Sequence, residues 1–527
     1  MTRLLLIGLD GAEPALLERW MAEGRLPHLA RLRERGAFLR LRSTNPPVTF
    51  PAWTTCVTGV NPGRHGIFDF TEVTPGAYRL RFVNATRRQA PALWNILSAA
   101  GKRVAVLGVP GTWPPEPVNG VMVSGFDSPV ATGVDASCVY PPELLPEVRE
   151  WRFADVQESH IGPGWHERAL EALLKKLEDK ERIATRLLAR EPWDFFMVVF
   201  GESDTVSHHF WLFHDPQSPR HRPGPQDALA RVYSRLDAAV GRLVETAGED
   251  VITMIVSDHG FGGAGTGVVH LNNWLALHDY LAFRTGGDSL LKRAALRYVP
   301  VKLRGVLFRR LRGLAEGAES KSRFGGIDWA RTTAWSEELN YFPSVRVNLA
   351  GREPHGQVRA PDYRAFVHDV CQHLETWEVV ERAWPRAELF EGPHVDRAPD
   401  IILELALENG YSHSCLRSRG GPPFRRLRPE EYFGGKERGM TGNHRPDGVC
   451  LLSTPSPLPR ADIQDVAPTV LALLGVPAPP MDGRPLVAGA SSPVPLSPVP
   501  AVGAAYDYTP AEAAVVEERL RGLGYLE

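Results

Sequence analysis

Short apolar runs separated by helical stretches constrain the fold of this chain more than any other feature. Each run is four to six residues long and is bounded by glycine, proline or polar residues. Residues 167–190 instead carry apolar side chains at i, i+3 and i+4, the pattern of an amphipathic helix. Strands that alternate with helices predict an α/β fold with a mostly parallel central sheet flanked by helices. The runs expected to be buried parallel strands are residues 4–9, 104–109, 195–200, 252–256, 401–405 and 449–452.

Acidic residues and histidines follow three of these runs. Asp10 follows the first run, Asp204 follows the third, and Asp258 and His259 follow the fourth. In parallel sheets, ligands bind beyond the carboxyl ends of the strands. We therefore expect these side chains to point into one crevice.

Further histidines extend this set to a possible metal site. Asp204 and His208 are spaced i, i+4, which places both on one helix face. With His444, the chain offers three aspartates and three histidines, enough for two divalent ions with mixed nitrogen and oxygen ligands, as zinc or manganese prefers. Taken singly, the residues have plainer explanations: a polar surface pair, a helix cap at Asp10 and a surface-loop histidine at His444.

Thr49 is the candidate nucleophile. It lies between Pro47 and Pro51, and a helix is predicted to begin near Ala52. A hydroxyl at a helix start faces the positive end of the helix dipole, where backbone N–H groups can hold a phosphate. A bound metal would lower the pKa of the hydroxyl enough for attack. The alternative is that Thr49 only caps the helix.

The regular alternation of strands and helices weakens between residues 271 and 438, which predicts an inserted cap or substrate region. The catalytic core then comprises residues 1–270 and 439–480. Residues 481–509 are rich in proline and predict an extended linker, and residues 510–527 predict a helical tail.

Residues 291–314, within this insertion, are rich in lysine and arginine. A basic amphipathic segment can contact a membrane surface peripherally or bind an acidic partner. The alternative is a solvated helix of the cap.

Composition sets the remaining expectations. The net charge is −2, so we expect no specific binding of nucleic acid. The chain has five scattered cysteines, which favours a reducing compartment over a disulfide framework. The first apolar run is too short for the core of a signal peptide, and no run reaches about 18 apolar residues. These features together predict a cytoplasmic enzyme.

The ordered motifs resemble the alkaline phosphatase superfamily, specifically its type I phosphodiesterase/nucleotide pyrophosphatase family. The resemblance covers about residues 1–475 and implies an alkaline-phosphatase-like core. The motifs that carry it are Gly8-Leu9-Asp10-Gly11, Thr49-Phe50-Pro51, Thr58-Gly59 with His65-Gly66-Ile67, Asp204 with His208, Ser257-Asp258-His259-Gly260 and Gly442-Asn443-His444.

The resemblance implies a phosphoester hydrolase that holds two divalent metal ions, usually zinc, and acts on a small phosphoester. Thr49 would be the nucleophile, a ligand of the second metal and the site of a phospho-threonine intermediate. The implied ligands are Asp204, His208 and His444 for one metal, and Asp10, Asp258 and His259 for the other.

One departure from the family pattern bears on the substrate. Phe70 stands where nucleotide pyrophosphatases carry an asparagine that contacts a phosphate oxygen. Nucleotide pyrophosphatase activity is therefore not expected from this motif. Asn84 is the candidate for a substitute amide in substrate binding. His65 either supports the residues that form the site, without contacting the substrate itself, or only packs its own loop.

Other functions on this fold are the alternatives to a phosphodiesterase. A phosphomonoesterase fits the same residues, whereas a phosphoglycerate-mutase-like phosphotransferase normally uses serine. A sulfatase needs a cysteine or serine that is converted to formylglycine, which Thr49 cannot provide. A non-catalytic binding protein on the same scaffold would not need the full set of metal-ligating residues.

Overall fold

The computed structural model describes residues 3–130, 133–154, 156, 161–284, 324–338, 342–418, 420–435, 438–487 and 505–523. The basic segment 291–314 lies outside the described residues, as does most of the predicted linker. No helix in the described part of the chain is long and apolar enough to cross a membrane.

A nine-stranded sheet forms the centre of the molecule, in the order β19-β2-β18-β9-β1-β8-β5-β6-β7. The five neighbouring strands from β9 to β6 are parallel, whereas β18 and β7 are antiparallel to their neighbours. The predicted mostly parallel α/β fold is therefore confirmed. The strands are β1 (Arg3–Leu9), β2 (Ala37–Arg42), β5 (Val104–Val109), β6 (Gly120–Ser124), β7 (Val139–Tyr140), β8 (Phe195–Phe200), β9 (Val251–Ser257), β18 (Asp447–Leu452) and β19 (Arg460–Asp462).

Helices cover both faces of this sheet. Alternate side chains of each central strand point to opposite faces, so both faces are apolar and each belongs to its own hydrophobic layer. In β1, Leu5 and Ile7 belong to one layer, and Leu4 and Leu6 belong to the other. The helices of the described residues are α1 (Pro14–Ala22), α2 (Pro27–Arg35), α3 (Thr49–Thr58), α4 (Pro62–His65), α5 (Leu93–Ala99), α6 (Leu145–Val148), α7 (Trp165–Arg190), α8 (Glu202–His214), α9 (Ala228–Ala247), α10 (Leu271–Leu277), α11 (Tyr363–Glu375), α12 (Arg386–Leu389), α13 (Val466–Leu473) and α14 (Pro510–Gly522).

A smaller antiparallel sheet lies within the segment predicted as an insertion, in the order β11-β12-β14-β13. It has its own apolar core, in which Trp335 and Val345 are fully buried. The exact ends of the insertion stay a prediction. The strands of this sheet are β11 (Ala334–Trp335), β12 (Ser344–Val347), β13 (Val380–Pro385) and β14 (Ile401–Leu405).

The remaining strands connect these parts or form a small hairpin. Strand β10 pairs with β15, β16 and β17, and β3 pairs with β4. Their bounds are β3 (Thr71–Val73), β4 (Leu80–Phe82), β10 (Gly260–Val269), β15 (Ser412–Cys415), β16 (Phe424–Arg426) and β17 (Gly442–Arg445).

Two of the six predicted parallel strands run in the other sense. Strand β18 is antiparallel to β9, and β14 lies in the smaller antiparallel sheet. The prediction of parallel pairing was wrong for these two because an apolar run reports burial, while strand direction depends on how the chain connects the strands.

Candidate metal centre and active site

Three adjacent strands bring the predicted acidic residues to one edge of the central sheet. Asp10 follows β1, Asp258 follows β9, and Asp204 lies in the first turn of α8, directly after β8. Strand β1 pairs with β8 on one side and with β9 on the other. The expected meeting of these residues beyond the strand ends is therefore present.

Asp204, His208 and His444 form the first of two clusters. Nε2 of His208 lies 3.2 Å from Oδ1 of Asp204 and 3.0 Å from Nε2 of His444. Nε2 of His444 lies 3.3 Å from the same oxygen of Asp204. One carboxylate oxygen and two ring nitrogens thus form a tight triangle in a fully buried position.

Asp10, Asp258 and His259 form the second cluster. Nε2 of His259 lies 3.5 Å from Oδ1 of Asp10 and 3.5 Å from Oδ2 of Asp258. One ligand atom from each of the three residues lies within 4.8 Å of the others. The rings of His259 and His444 stack with centroids 3.6 Å apart, so the two clusters are immediate neighbours.

Backbone carbonyls fix the orientation of the three histidine rings. Nδ1 lies 3.1 Å from the carbonyl oxygen of Gly442 in His208, 3.0 Å from that of Gly260 in His259, and 2.8 Å from that of Pro47 in His444. Because a carbonyl only accepts, each Nδ1 must carry the proton and donate. The lone pair of each Nε2 then faces its cluster, which is the arrangement that metal-ligating histidines use.

Burial and mutual repulsion perturb the carboxyl groups. Burial raises the pKa of Asp10 well above its usual range, and the charges of Asp258 and Asp204 raise it further. Burial likewise raises the pKa of Asp258. Burial also acts to raise the pKa of Asp204, but the neighbouring His208 and His444 together outweigh it and hold that pKa well below its usual range.

Two histidines of the clusters, His259 and His444, are shifted toward the neutral form. Burial lowers the pKa of His259 well below 6.5, and the neighbouring His444 lowers it further. Burial also lowers the pKa of His444. Neutral imidazole is the form that ligates metals.

The second cluster has the chemistry of a cation site. Within the described residues, Oδ1 of Asp10 and Oδ2 of Asp258 are buried and receive no hydrogen bond. Both oxygens face Nε2 of His259, which also offers a lone pair. A buried group of acceptors without donors is costly unless a cation joins it. The residues present therefore fit divalent metal ions, with oxygen and nitrogen donors.

Thr49 lies beside the second cluster. Its Oγ1 is 3.4 Å from Nε2 of His259, and the side chain is fully buried. Helix α3 begins at Thr49, so the predicted start near Ala52 was wrong by three residues. Pro51 does not prevent this, because the N–H group that proline lacks would be unpaired in the first turn of a helix.

The structure excludes two of the plainer explanations, namely that Thr49 or Asp10 only caps a helix. The residue that caps α3 is Val48, so Thr49 is not the helix cap. Glu13 caps α1, with its side chain accepting from the N–H of Ala15, so Asp10 is not a cap either.

Two further predicted residues have other partners. Oδ1 of Asn84 accepts from the N–H and hydroxyl of Thr86, and Nδ2 donates to the carbonyl of Tyr506. Its role in substrate binding stays a prediction, but in this structure its amide stabilises a turn. His65 accepts from the N–H of Ile67 through Nδ1 and lies 2.9 Å from the hydroxyl of Thr55 through Nε2. It packs the loop rather than facing the clusters.

Phe70 is buried against other aromatic rings. Its ring centroid lies 4.5 Å from that of Phe50, the residue after Thr49, and 6.4 Å from that of Phe126. The position that carries an amide in nucleotide pyrophosphatases thus forms part of an apolar cluster beside the candidate nucleophile.

Sequence reasoning missed the residues that support Asp10 and Asp258. Nε1 of Trp53 donates to Oδ2 of Asp10 at 3.1 Å, and the N–H of Gly11 donates to Oδ1 of Asp258 at 3.2 Å. Trp53 is four residues after Thr49 and therefore shares its helix face. This spacing of four residues is the signal in the sequence that could have identified Trp53.

A model of the type I phosphodiesterase/nucleotide pyrophosphatase family matches residues 4–436, most of the chain. The chain belongs to this family. It is therefore a phosphoester hydrolase of a metal-dependent family. His444 lies beyond the matched residues, and only the structure joins it to Asp204 and His208.

A solved structure of low sequence identity shares the fold of this chain. Phosphonoacetate hydrolase from Sinorhizobium meliloti 1021, in complex with phosphonoformate, is 17% identical with a TM-score of 0.53, and the match covers 90% of this chain and 95% of that chain. Murine ectonucleotide pyrophosphatase/phosphodiesterase 5 is 13% identical with a TM-score of 0.49, over 92% and 97% of the two chains. No curated protein matches the sequence significantly.

Proposed function

We propose that this family member cleaves phosphodiesters of small size, with the hydroxyl of Thr49 as nucleophile and two zinc ions as cofactors. The observation that carries the proposal is the position of Oγ1 of Thr49, 3.4 Å from Nε2 of His259 and thus at the edge of the second cluster. Manganese is the alternative metal, because the donor set of aspartates and histidines suits both ions.

The two clusters supply the residues that would hold the metals. Asp204, His208 and His444 would hold one ion, and Asp10, Asp258 and His259 would hold the other. When bound, the two ions supply positive charge that lowers the pKa of the nucleophile and neutralises charge on the phosphoryl oxygens.

The rest of the site positions the nucleophile. Thr49 is the first residue of α3, so its hydroxyl lies at the positive end of the helix dipole, which favours an anionic phosphoryl group. Trp53, one turn along the same helix, donates to Asp10 and thereby couples the helix to the second cluster. The helix start and the carboxylates are held together in this way before substrate binds.

The reaction then proceeds in two displacements. Oγ of Thr49 bonds to phosphorus as the bond from phosphorus to the leaving oxygen breaks. The hydroxyl proton is lost, and the leaving oxygen takes up a proton to give an alcohol. Water next attacks the phospho-threonine, which restores the hydroxyl and releases a phosphomonoester.

The substrate is proposed to be a small phosphoester rather than a nucleotide or nucleic acid. Phe70 cannot donate a hydrogen bond to a phosphate oxygen, and its ring is enclosed by Phe50 and Phe126.

The experiment combines metal analysis with hydrolysis of bis-p-nitrophenyl phosphate and p-nitrophenyl phosphate. We expect about two metal ions per chain and chelator-sensitive release of nitrophenol, faster from the diester. A faster monoester would favour the phosphomonoesterase alternative. Absence of both metal and turnover after zinc or manganese is added would refute the proposal.

Thr49→Ala tests the nucleophile. We expect activity to fall by at least about 1000-fold, because alanine carries no hydroxyl, while metal content and thermal unfolding stay near those of the wild type. Thr49→Ser is the matched control and should keep a measurable part of the activity. Full activity of Thr49→Ala would remove Thr49 from the mechanism.

A further inference from the structure

A small cavity adjoins the metal-ligand clusters on the side of β8 and β5. Asp10 and Asp204 line it, and so does Leu523, the residue after α14. Phe126, Trp151, Phe153 and Lys180 also line it. A segment far along the chain therefore lines a cavity that also contacts two of the candidate metal ligands.

The cavity is narrow. Its volume is about 20 Å³. A cavity needs roughly 10–15 Å³ on this measure to hold one water molecule. The cavity therefore accepts a group about the size of a methyl, and an aromatic ring cannot enter unless a wall residue is smaller.

The walls favour an uncharged group. Three of the residues that line it are aromatic: Phe126, Trp151 and Phe153. Nζ of Lys180 lies 2.9 Å from Oε1 of the fully buried Glu202, so its charge is compensated. The same ammonium group lies 5.7 Å from the ring centroid of Trp151. Among the described residues that line the cavity, the charged ones are Asp10, Asp204 and Lys180, and the charge of Lys180 is compensated by Glu202.

Specific contacts hold α14 in place beside this cavity. The guanidinium of Arg519 donates to the carbonyls of Phe126 and Ser128, at 3.0 and 2.5 Å, and its carbon lies 4.5 Å from the ring centroid of Phe153. Phe126 and Phe153 are themselves cavity residues. The carbonyl of Gly522 lies 3.2 Å from Nε2 of His209, on α8. Leu523 follows directly, and only 3% of its surface is exposed.

We propose that Leu523 sets the size limit for the ester group that stays on phosphorus during the reaction. The substrates would then be phosphodiesters whose retained substituent is uncharged and about the size of a methyl group. This inference rests on the proposed function, because it places the substituent in the cavity while phosphorus lies at the clusters.

The test uses p-nitrophenyl esters that share one leaving group and differ in the retained substituent: methyl p-nitrophenyl phosphate and phenyl p-nitrophenyl phosphate. For the wild type, we expect kcat/KM to be higher for the methyl ester. Leu523→Ala should raise kcat/KM for the phenyl ester by about tenfold relative to the methyl ester, because the aryl group gains room. Leu523→Trp should lower the relative rate of the phenyl ester.

Val516→Ala is the matched control. Val516 is a buried residue of α14 that does not line the cavity. It should leave the ratio of the two esters unchanged, even if the helix packs less tightly. If Val516→Ala changes the ratio as much as Leu523→Ala does, or if both folded Leu523 variants keep the wild-type ratio, the inference is overturned.

A binding measurement separates this inference from the proposed function. Methylphosphonate and phenylphosphonate carry the same two substituents but cannot release nitrophenol. Calorimetry with the zinc-loaded protein should show phenylphosphonate gaining affinity in Leu523→Ala, with methylphosphonate unchanged. If Leu523→Ala gains affinity for phenylphosphonate but no ester is turned over, the proposed function is refuted and the size limit stands. If the wild type and Leu523→Ala bind both phosphonates equally, only the size limit is refuted.

Discussion

Replacing Asp258 with asparagine should stabilise the metal-free protein and abolish its stabilisation by zinc. Asp258 is fully buried, and one of its oxygens lies within 4.8 Å of a carboxylate oxygen of Asp10. Asparagine keeps the oxygen that accepts from the N–H of Gly11. Its NH₂ group can also donate to Asp10, as a protonated aspartic acid would.

The expected gain follows from the repulsion that the substitution removes. Two unit charges at this separation repel by about 3 kcal/mol at an effective dielectric constant near 20. Uptake of a proton relieves part of this, so we expect the metal-free variant to gain about 1–3 kcal/mol at neutral pH. Because burial raises the pKa of Asp258 in the folded state, this penalty is absent well below pH 3.8 and grows as the pH rises.

In the presence of zinc, the wild type should be more stable than Asp258→Asn. A ligand at 100 times its dissociation constant stabilises the folded state by about 2.7 kcal/mol, and the wild type should show at least this increment. Asp258→Asn removes a negatively charged ligand and should lose most of it. The assay is urea unfolding at pH 7.5, with chelator and with a fixed free zinc concentration.

Asp237→Asn is the control for this experiment. Asp237 is a buried aspartate outside the clusters, where it accepts from the N–H groups of His28 and Leu29. Its zinc increment should equal that of the wild type. If Asp258→Asn is less stable than the wild type in chelator and still gains the full zinc increment, the second cluster is not a metal site.

Three further changes test other parts of the structure. His444→Ala should reduce the metal content from about two ions to about one, measured by elemental analysis of the purified protein, and unchanged content would exclude His444 as a ligand. Asp69→Asn should stabilise the protein above pH 7, because burial raises the pKa of Asp69 to about 7 and stability is lost as the pH rises from 3.8 through that value. Because the side chain of Asp69 is only partly buried, we expect the free energy of unfolding of Asp69→Asn, relative to that of the wild type, to increase by about 1–2 kcal/mol from pH 4 to pH 8 in urea unfolding. A difference between the two proteins that does not change with pH would contradict this assignment. Phe70→Ala should cost about 3–5 kcal/mol in the same assay, since it removes a buried ring packed on Phe50, and a loss below about 1 kcal/mol would show that this aromatic cluster is not rigid.

Much of the fold and of the candidate site could be predicted from local patterns. Apolar runs identified the central strands, because a buried strand needs a continuous apolar sequence. The i, i+4 spacing of Asp204 and His208 fixed their common helix face, because helical geometry alone determines it. Residues that directly follow strands, such as Asp10 and Asp258, were expected at the same sheet edge for a similar reason.

Other features depend on contacts between distant segments, which no local pattern contains. Nε2 of His208 meets Nε2 of His444 across a separation of 236 residues. The direction of β18 and the carbonyl partners of the histidine rings likewise follow from how the chain returns to the sheet.

The sequence by itself determined the central strands, the helix faces and a set of candidate metal ligands, because burial and short-range spacing depend on neighbouring positions. Only the tertiary structure decided that Thr49 begins its helix beside His259, that Phe70 packs into an aromatic cluster, and that Leu523 closes a cavity next to Asp10. The physical reason is that these contacts arise from packing between segments, whose relative positions are set by the whole hydrophobic core rather than by any one stretch of sequence.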